Sequence, residues 1–158
     1  MNLNDLFKPQ AELDKHIINE HDLHNQDLLQ RRSAALICEV WECLNETKLF
    51  KFWSKKKAIR SKVLEEYVDS VHFALSLGNQ LGYTKHVYEE VKDRDIIDLA
   101  FGITNLATLI PVTKDKNFSE LFNLLIKLGY QLGFTEQEVI EAYYAKNKIN
   151  HERQVNGY

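Results

Sequence analysis

Two acidic pairs are the first residues in this chain that could do chemistry: Glu39-Val-Trp-Glu42 and Glu66-Tyr-Val-Asp69. Residues three apart on a helix share a face, so each pair projects its two carboxylates in one direction. If the helices that carry them pack antiparallel, four carboxylates converge on one small volume. Left alone, such a group repels itself and raises its own pKa values. Hard divalent cations, Mg²⁺ or Mn²⁺, relieve that repulsion because they prefer oxygen ligands. The natural client of two or more such ions is a phosphate chain, which shares them with the protein. The plainer alternative is that each pair is a solvated helix face. A second pair, and the position of both beside apolar stripes, favours the metal.

Positioning those acids is a matter of helices, because a helical period dominates the chain. The pattern predicts a first helix over 9–20, with Pro9 suited to its start, and a second over 27–45. Leu29, Leu36, Ile37, Val40 and Leu44 form the apolar stripe of the second, and Glu39 and Glu42 border it. A third is expected over 61–79, with Val63, Tyr67, Val71 and Ala74 inward and Gly78 and Gly82 at its end. Thr84 is expected to open a short helix to about Lys92. A fourth runs over 95–110 and stops before Pro111, and a fifth covers 118–132. Gly133 closes the fifth, and Thr135-Glu-Gln-Glu138 is a capping box for a sixth. Leu77-Gly-Asn-Gln-Leu-Gly-Tyr-Thr84 recurs as Leu128-Gly-Tyr-Gln-Leu-Gly-Phe-Thr135. Shared helix-stop grammar and an old duplication both account for this echo.

Two further segments bear on the acids. Residues 48–62 hold seven cations and no acid around Phe50, Phe52 and Trp53. Such a run is usually a solvated loop, but this one joins the two acidic helices, so Lys51 and Trp53 could meet the far end of a phosphate chain. Near the C-terminus Lys146, Asn150 and Arg153 fall at i, i+4 and i+7. On a helix, two cations and an amide on one stripe could clamp phosphate and sugar, whereas the default for a chain end is a disordered tail. His72, one turn beyond Asp69, is either a packed histidine or a donor to a sugar hydroxyl.

The remaining numbers exclude more than they assign. A chain of 158 residues is one domain with room for a core. The net charge of −3 implies no pull toward nucleic acid or anionic membrane. No run of apolar residues suggests a membrane span, and the first residues do not read as a signal peptide. Cys38 and Cys43 diverge on one helix and are expected as free thiols, which fits the cytoplasm.

The combination of Glu39-x-x-Glu42, Phe50-Lys-Phe-Trp-Ser54, Glu65-Glu-Tyr-Val-Asp69 followed by His72-Phe73, and the spacing Tyr143, Lys146, Asn147, Asn150, Arg153, Gln154, Gly157, Tyr158 resembles the dimeric, all-α dUTPase family. That family belongs to the all-α NTP pyrophosphatase superfamily. The resemblance spans nearly the whole chain in order. It implies one all-α domain over 1–158, a bundle of about five to six helices with a four-helix core, whose 143–158 segment closes over the nucleotide. It implies a homodimer and a Mg²⁺-dependent conversion of dUTP to dUMP and pyrophosphate that keeps uracil out of DNA, with dUDP as a further substrate. Under it, Glu39, Glu42, Glu66 and Asp69 match the metal ligands, and Glu39 or Glu42 takes the proton of the attacking water. Gln10 matches a uracil-reading glutamine. Asp14 stands where the family often has asparagine. Lys51 and Trp53 match residues beside the phosphates, and His72 matches a position near the deoxyribose. Lys146, Asn150, Arg153 and Tyr158 match the closing segment.

The nearest alternative is a relative acting on another nucleotide, such as dCTP. A di-iron carboxylate bundle would use two Glu-x-x-His motifs, and only Asp69-x-x-His72 comes close. A non-enzymatic helical module would leave the four acids as surface decoration.

Overall fold

The computed structural model describes residues 1–157 apart from the side chain of Asp115; Tyr158, expected in the closing segment, lies outside the described residues. Six α-helices make up the chain, with no strand among the described residues: α1 (Phe7–Glu20), α2 (Leu29–Thr47), α3 (Arg60–Gln80), α4 (Ile96–Thr113), α5 (Phe118–Gln131) and α6 (Glu136–Val155). The helix starts follow local capping chemistry. Asp27 accepts from the Leu29 N–H at 3.0 Å and Asp95 from the Ile97 N–H at 2.8 Å. Thr135 and Glu138 form the reciprocal box at the start of α6.

Helix α3 is the centre of the bundle. Tyr67, Val71, Ala74, Leu75 and Leu77 are fully buried, and the helix packs against α1, α2, α5 and α6. The ring α2–α3–α5–α4 is closed by contacts between each neighbouring pair, which is the expected four-helix core. Helices α2 and α3 run antiparallel. The start of α2 meets the end of α3 where Arg32 Nη1 donates to Gln80 Oε1 at 2.8 Å. The end of α2 meets the start of α3 where the Cys43 thiol donates to the Val63 carbonyl at 3.6 Å. Both cysteines are free.

The echoed segments are the same helix ending built twice. Gly82 and Gly133 hold φ of +89° and +77°. The amide of the next residue reaches back into the last turn each time, Tyr83 to Gly78 at 2.9 Å and Phe134 to Gly129 at 3.1 Å. The earlier glycine of each copy lies inside its helix, so Gly78 does not end α3 as the sequence suggested. It is there because a neighbour crosses too closely for a side chain. A Cβ on Gly129 would sit 2.3 Å from the Tyr67 hydroxyl, and one on Gly78 2.5 Å from Phe118. Gly129→Ala is therefore expected to cost at least ~2 kcal/mol in urea denaturation, because Tyr67, bonded to the Leu125 carbonyl at 3.1 Å, has nowhere to move.

Three local expectations fail, each for a visible reason. No helix forms over 84–92. The matching position to Glu138 is Val87, so Thr84 has no capping box. Tertiary bonds take the backbone instead: the His86 N–H donates to Asn4 Oδ1 at 2.6 Å and the Glu89 N–H to Asn123 Oδ1 at 3.0 Å. Pro111 lies inside α4 rather than beyond it. Its missing N–H removes one bond from the last turn, and the helix runs two residues further. The C-terminal segment is no loose tail, since α6 continues to Val155 with Asn147 and Gln154 buried.

One helix, α4, is long and apolar enough by length and composition to cross a membrane, which the sequence reading did not anticipate. Its buried side, Leu99, Ala100, Ile103, Leu106, Ala107 and Ile110, packs on α2 and α5. Trp41 Nε1 donates across to Thr104 Oγ1 at 3.0 Å, as befits a helix of the bundle.

Candidate functional site

The antiparallel packing of α2 on α3 does to the acidic pairs what their spacing required. Glu39, Glu42 and Glu66 each offer a carboxylate oxygen within 4.8 Å of the others. Among the described residues none of the three forms an ion pair. Burial, followed by the charges of Asp69, Glu42 and Glu66, pushes Glu39 up to about 7. Glu66 is raised for the same reasons, burial first and then Asp69 and Glu42. Three carboxylates this close, two of them with raised pKa values, are an oxygen donor set that a hard divalent cation fits.

The fourth acid, Asp69, is outside that triple but exerts the largest charge effect on Glu39 and Glu66. Asp69 accepts from Lys146 Nζ at 2.6 Å, and the same ammonium lies 3.5 Å from Glu65. Burial raises the Asp69 carboxyl despite this partner. Partial burial pulls the Lys146 ammonium down, but the Asp69 bond and the charges of Asp69 and Glu65 outweigh it, and its pKa is raised. Lys146 is thus the nearest counter-ion to the acids, delivered by α6.

From Glu39 and Asp69 a cleft of about 490 Å³ runs between α1, α2, α3 and α6. Lys146, Asn150 and Arg153 line its α6 side, so the i, i+4, i+7 stripe is real and faces the acids' end of the molecule. At the other end Gln10, Asp14, His72 and Ser76 form a buried polar network. Gln10 Nε2 donates to Asp14 Oδ1 at 2.8 Å, and Ser76 Oγ donates to Asp14 Oδ2 at 2.8 Å. The Asp14 carboxylate so orients the Gln10 amide that its carbonyl faces His72 Nδ1 at 2.7 Å and the Tyr143 hydroxyl at 3.0 Å. His72 therefore carries its proton on Nδ1. Burial, with the Lys146 charge, pushes its pKa down to about 3, so the ring is neutral. Its Nε2 is buried with no hydrogen-bond partner. In this tautomer Nε2 is an acceptor, whereas the sequence reading had the histidine as a donor.

Two expected residues do not reach the cleft. Trp53 is 66% exposed and rests edge-on against Phe52 at 4.9 Å. Lys51 sits over Phe50 at 5.8 Å. Both belong to the loop between α2 and α3, close to the acids in sequence but not among the residues that line the cavity.

Sequence reasoning missed Arg32 and Ser76, and it saw Tyr143 only as part of the C-terminal motif. The first two had a signal: Arg32 and Glu39 are seven apart on α2, as Asp69 and Ser76 are on α3, and seven residues bring a helix back to the same face. The packing of Tyr143 had no such signal, because it depends on α6 stacking its ring on His72 at 4.1 Å.

The arrangement has one end that concentrates negative charge, a flank of cations and amides, and a far end of fixed hydrogen-bonding groups. It suits an elongated anion with a polar head. A family model described as dUTPase matches residues 2–158. No curated protein matches the chain.

Proposed function

The chain belongs to the dUTPase family, and on that footing we propose that its cleft converts dUTP to dUMP and pyrophosphate with Mg²⁺, keeping uracil out of DNA. The observation that carries the reading is the meeting of three carboxylates within 4.8 Å at one end of a cleft whose other end is a buried amide–carboxylate network. Glu39, Glu42 and Glu66 would hold the metal, with Asp69 joining as Lys146 lets go. When bound, Mg²⁺ neutralises phosphate charge and acidifies water. Every other task falls to side chains. Glu39 or Glu42 takes the proton of the attacking water. Lys146 and Arg153 balance charge on the leaving phosphates. Asn150 and His72 Nε2 hold the sugar, the latter by accepting from a hydroxyl. Gln10 and Asp14 read the base, and an imperfect pairing there leaves buried polar groups unmatched.

dUDP, which presents the same base and sugar and one phosphate fewer, is proposed as a second substrate. The partner copy of a homodimer would cover the outer face of α4, where Phe101, Leu109 and Val112 are exposed. A cytoplasmic location is part of the same proposal.

The test is a pyrophosphate-release assay across the common ribo- and deoxyribonucleoside triphosphates, with and without Mg²⁺. dUTP should lead by a wide margin, and chelation should stop turnover. A preference for dCTP or another nucleotide would replace the substrate assignment, and undiminished turnover in EDTA would remove the metal from it.

A further inference from the structure

The far end of the cleft contains a group that the proposed function does not yet use. We propose that Arg32 is a specificity-determining residue, completing with Gln10 and Asp14 a donor–acceptor–donor comb that matches the pairing edge of uracil and mismatches that of cytosine. This rests on the dUTP reading and deepens it.

Distance places the comb where a base would lie. Arg32 and Glu39 are seven residues apart on α2, and Ser76 and Asp69 seven apart on α3. Seven residues of helix rise about 10 Å, comparable to the reach of a nucleoside from its 5′ phosphate to the far edge of its base. Phosphates at the acids therefore put the base edge at Asp14, Ser76 and Arg32. Behind that wall lies a second hollow, which Asp14 and Arg32 also line, so the pair closes the cleft.

Hydrogen-bond accounting supplies the code. The Arg32 guanidinium is fixed by Nη1, which donates to Gln80 Oε1 at 2.8 Å and to the Ser76 carbonyl at 3.4 Å. Nη2 stands 3.7 Å from Asp14 Oδ2. That distance gives charge attraction but no hydrogen bond. The Nη2 protons are left for a ligand acceptor. Gln10 uses one Nε2 proton on Asp14 Oδ1 and keeps the other. Between these two donors sits the Asp14 carboxylate, 92% buried, with Gln10 on its Oδ1 side and Arg32 on its Oδ2 side.

Uracil presents an acceptor, a donor and an acceptor: O4, N3–H and O2. Each meets its complement. Cytosine presents its N3 lone pair to the carboxylate and its 4-amino group to a donor, two mismatches at side chains that are largely buried. Thymine carries the same edge as uracil, so this comb does not separate the two, and the 5-methyl group must be sensed elsewhere. That difference gives the test its control.

The experiment compares kcat/KM for dUTP, dCTP and dTTP in the wild type, Arg32→Met and Arg32→Lys. Arg32→Met should lower the dUTP:dCTP ratio by at least ~30-fold, mainly through KM for dUTP, and leave the dUTP:dTTP ratio unchanged. Arg32→Lys keeps a charge beside Asp14 and should restore the melting temperature but not the dUTP:dCTP ratio, since it lacks the planar fork. An unchanged dUTP:dCTP ratio in Arg32→Met, or a lysine variant that recovers selectivity together with stability, would overturn the inference and leave Arg32 a structural ion-pair partner. A wild-type protein that ignores dUTP overturns the functional reading first, and the inference with it.

Discussion

Glu39→Gln is expected to reduce turnover on the order of 10³-fold and yet to raise the melting temperature of the metal-free protein. Both effects come from one cause. Glu39 is half-buried among Asp69, Glu42 and Glu66, and its carboxyl stands near 7 instead of 4.5. The folded protein therefore binds the Glu39 proton more tightly than the unfolded chain does. Stability drawn from this group is complete below the ordinary carboxylate pKa and is lost as pH rises from about 4.5 through about 7. After allowance for solvent screening at a half-exposed site, the loss is about 1–2 kcal/mol. Glu66 and Asp69, also raised with burial as the first cause, add to it in the same direction. Glutamine keeps the shape and removes the charge. In EDTA the wild type should lose melting temperature between pH 5 and 7, and Glu39→Gln should lose less and lie above it at pH 7. Added Mg²⁺ should lift the wild type and hardly move the variant. A variant less stable than the wild type in EDTA would show that Glu39 serves the fold rather than a cation.

The features legible in the sequence were those that one helix specifies by itself. The stripe Leu36, Val40, Leu44 and the inward set Val63, Tyr67, Val71, Ala74 are buried as their periodicity demands, and the Thr135–Glu138 box is formed. Three of the four acids meet as expected because α2 and α3 pack antiparallel, the condition on which that expectation rested. What stayed hidden depends on a partner distant in the chain. Asn4 and Asn123 take the backbone N–H groups of His86 and Glu89 out of a helix that Thr84 seemed to start. Asp69 takes Lys146 of α6 as an ion-pair partner. Arg32 looks like any surface arginine until α3 supplies Gln80 and Ser76 and α1 supplies Asp14. A lysine-rich loop beside the acids in sequence promised a phosphate grip, but backbone proximity does not aim a side chain, and Trp53 faces outward.

Lys146→Met should tighten the binding of Mn²⁺ alone while slowing turnover about 100-fold, a divergence that separates two roles of one side chain. In the resting chain Lys146 is the counter-ion of Asp69, with Nζ 2.6 Å from Oδ2 and 3.5 Å from Glu65. Lys146 occupies one Asp69 oxygen and its positive charge repels an arriving cation, so the ammonium competes with metal for the fourth acid. Methionine fills the space of the lysine stem and removes the competitor. The remaining charge of Asp69 then adds to that of Glu39, Glu42 and Glu66, and metal affinity should rise several-fold, the effect of one charge partner in a partly wet site. On the proposed mechanism the same ammonium would turn to the phosphates once nucleotide is in the cleft, so its loss should remove charge balance from the leaving group. Calorimetric titration with Mn²⁺ in the absence of nucleotide, set beside kcat for dUTP, reads both effects. Asp69→Asn provides the contrast, because it should weaken metal binding and turnover together. Weaker Mn²⁺ binding in Lys146→Met, or an unaltered kcat, would mean that the bond between Lys146 and Asp69 merely fastens α6 to α3 and that the phosphates are held by other groups.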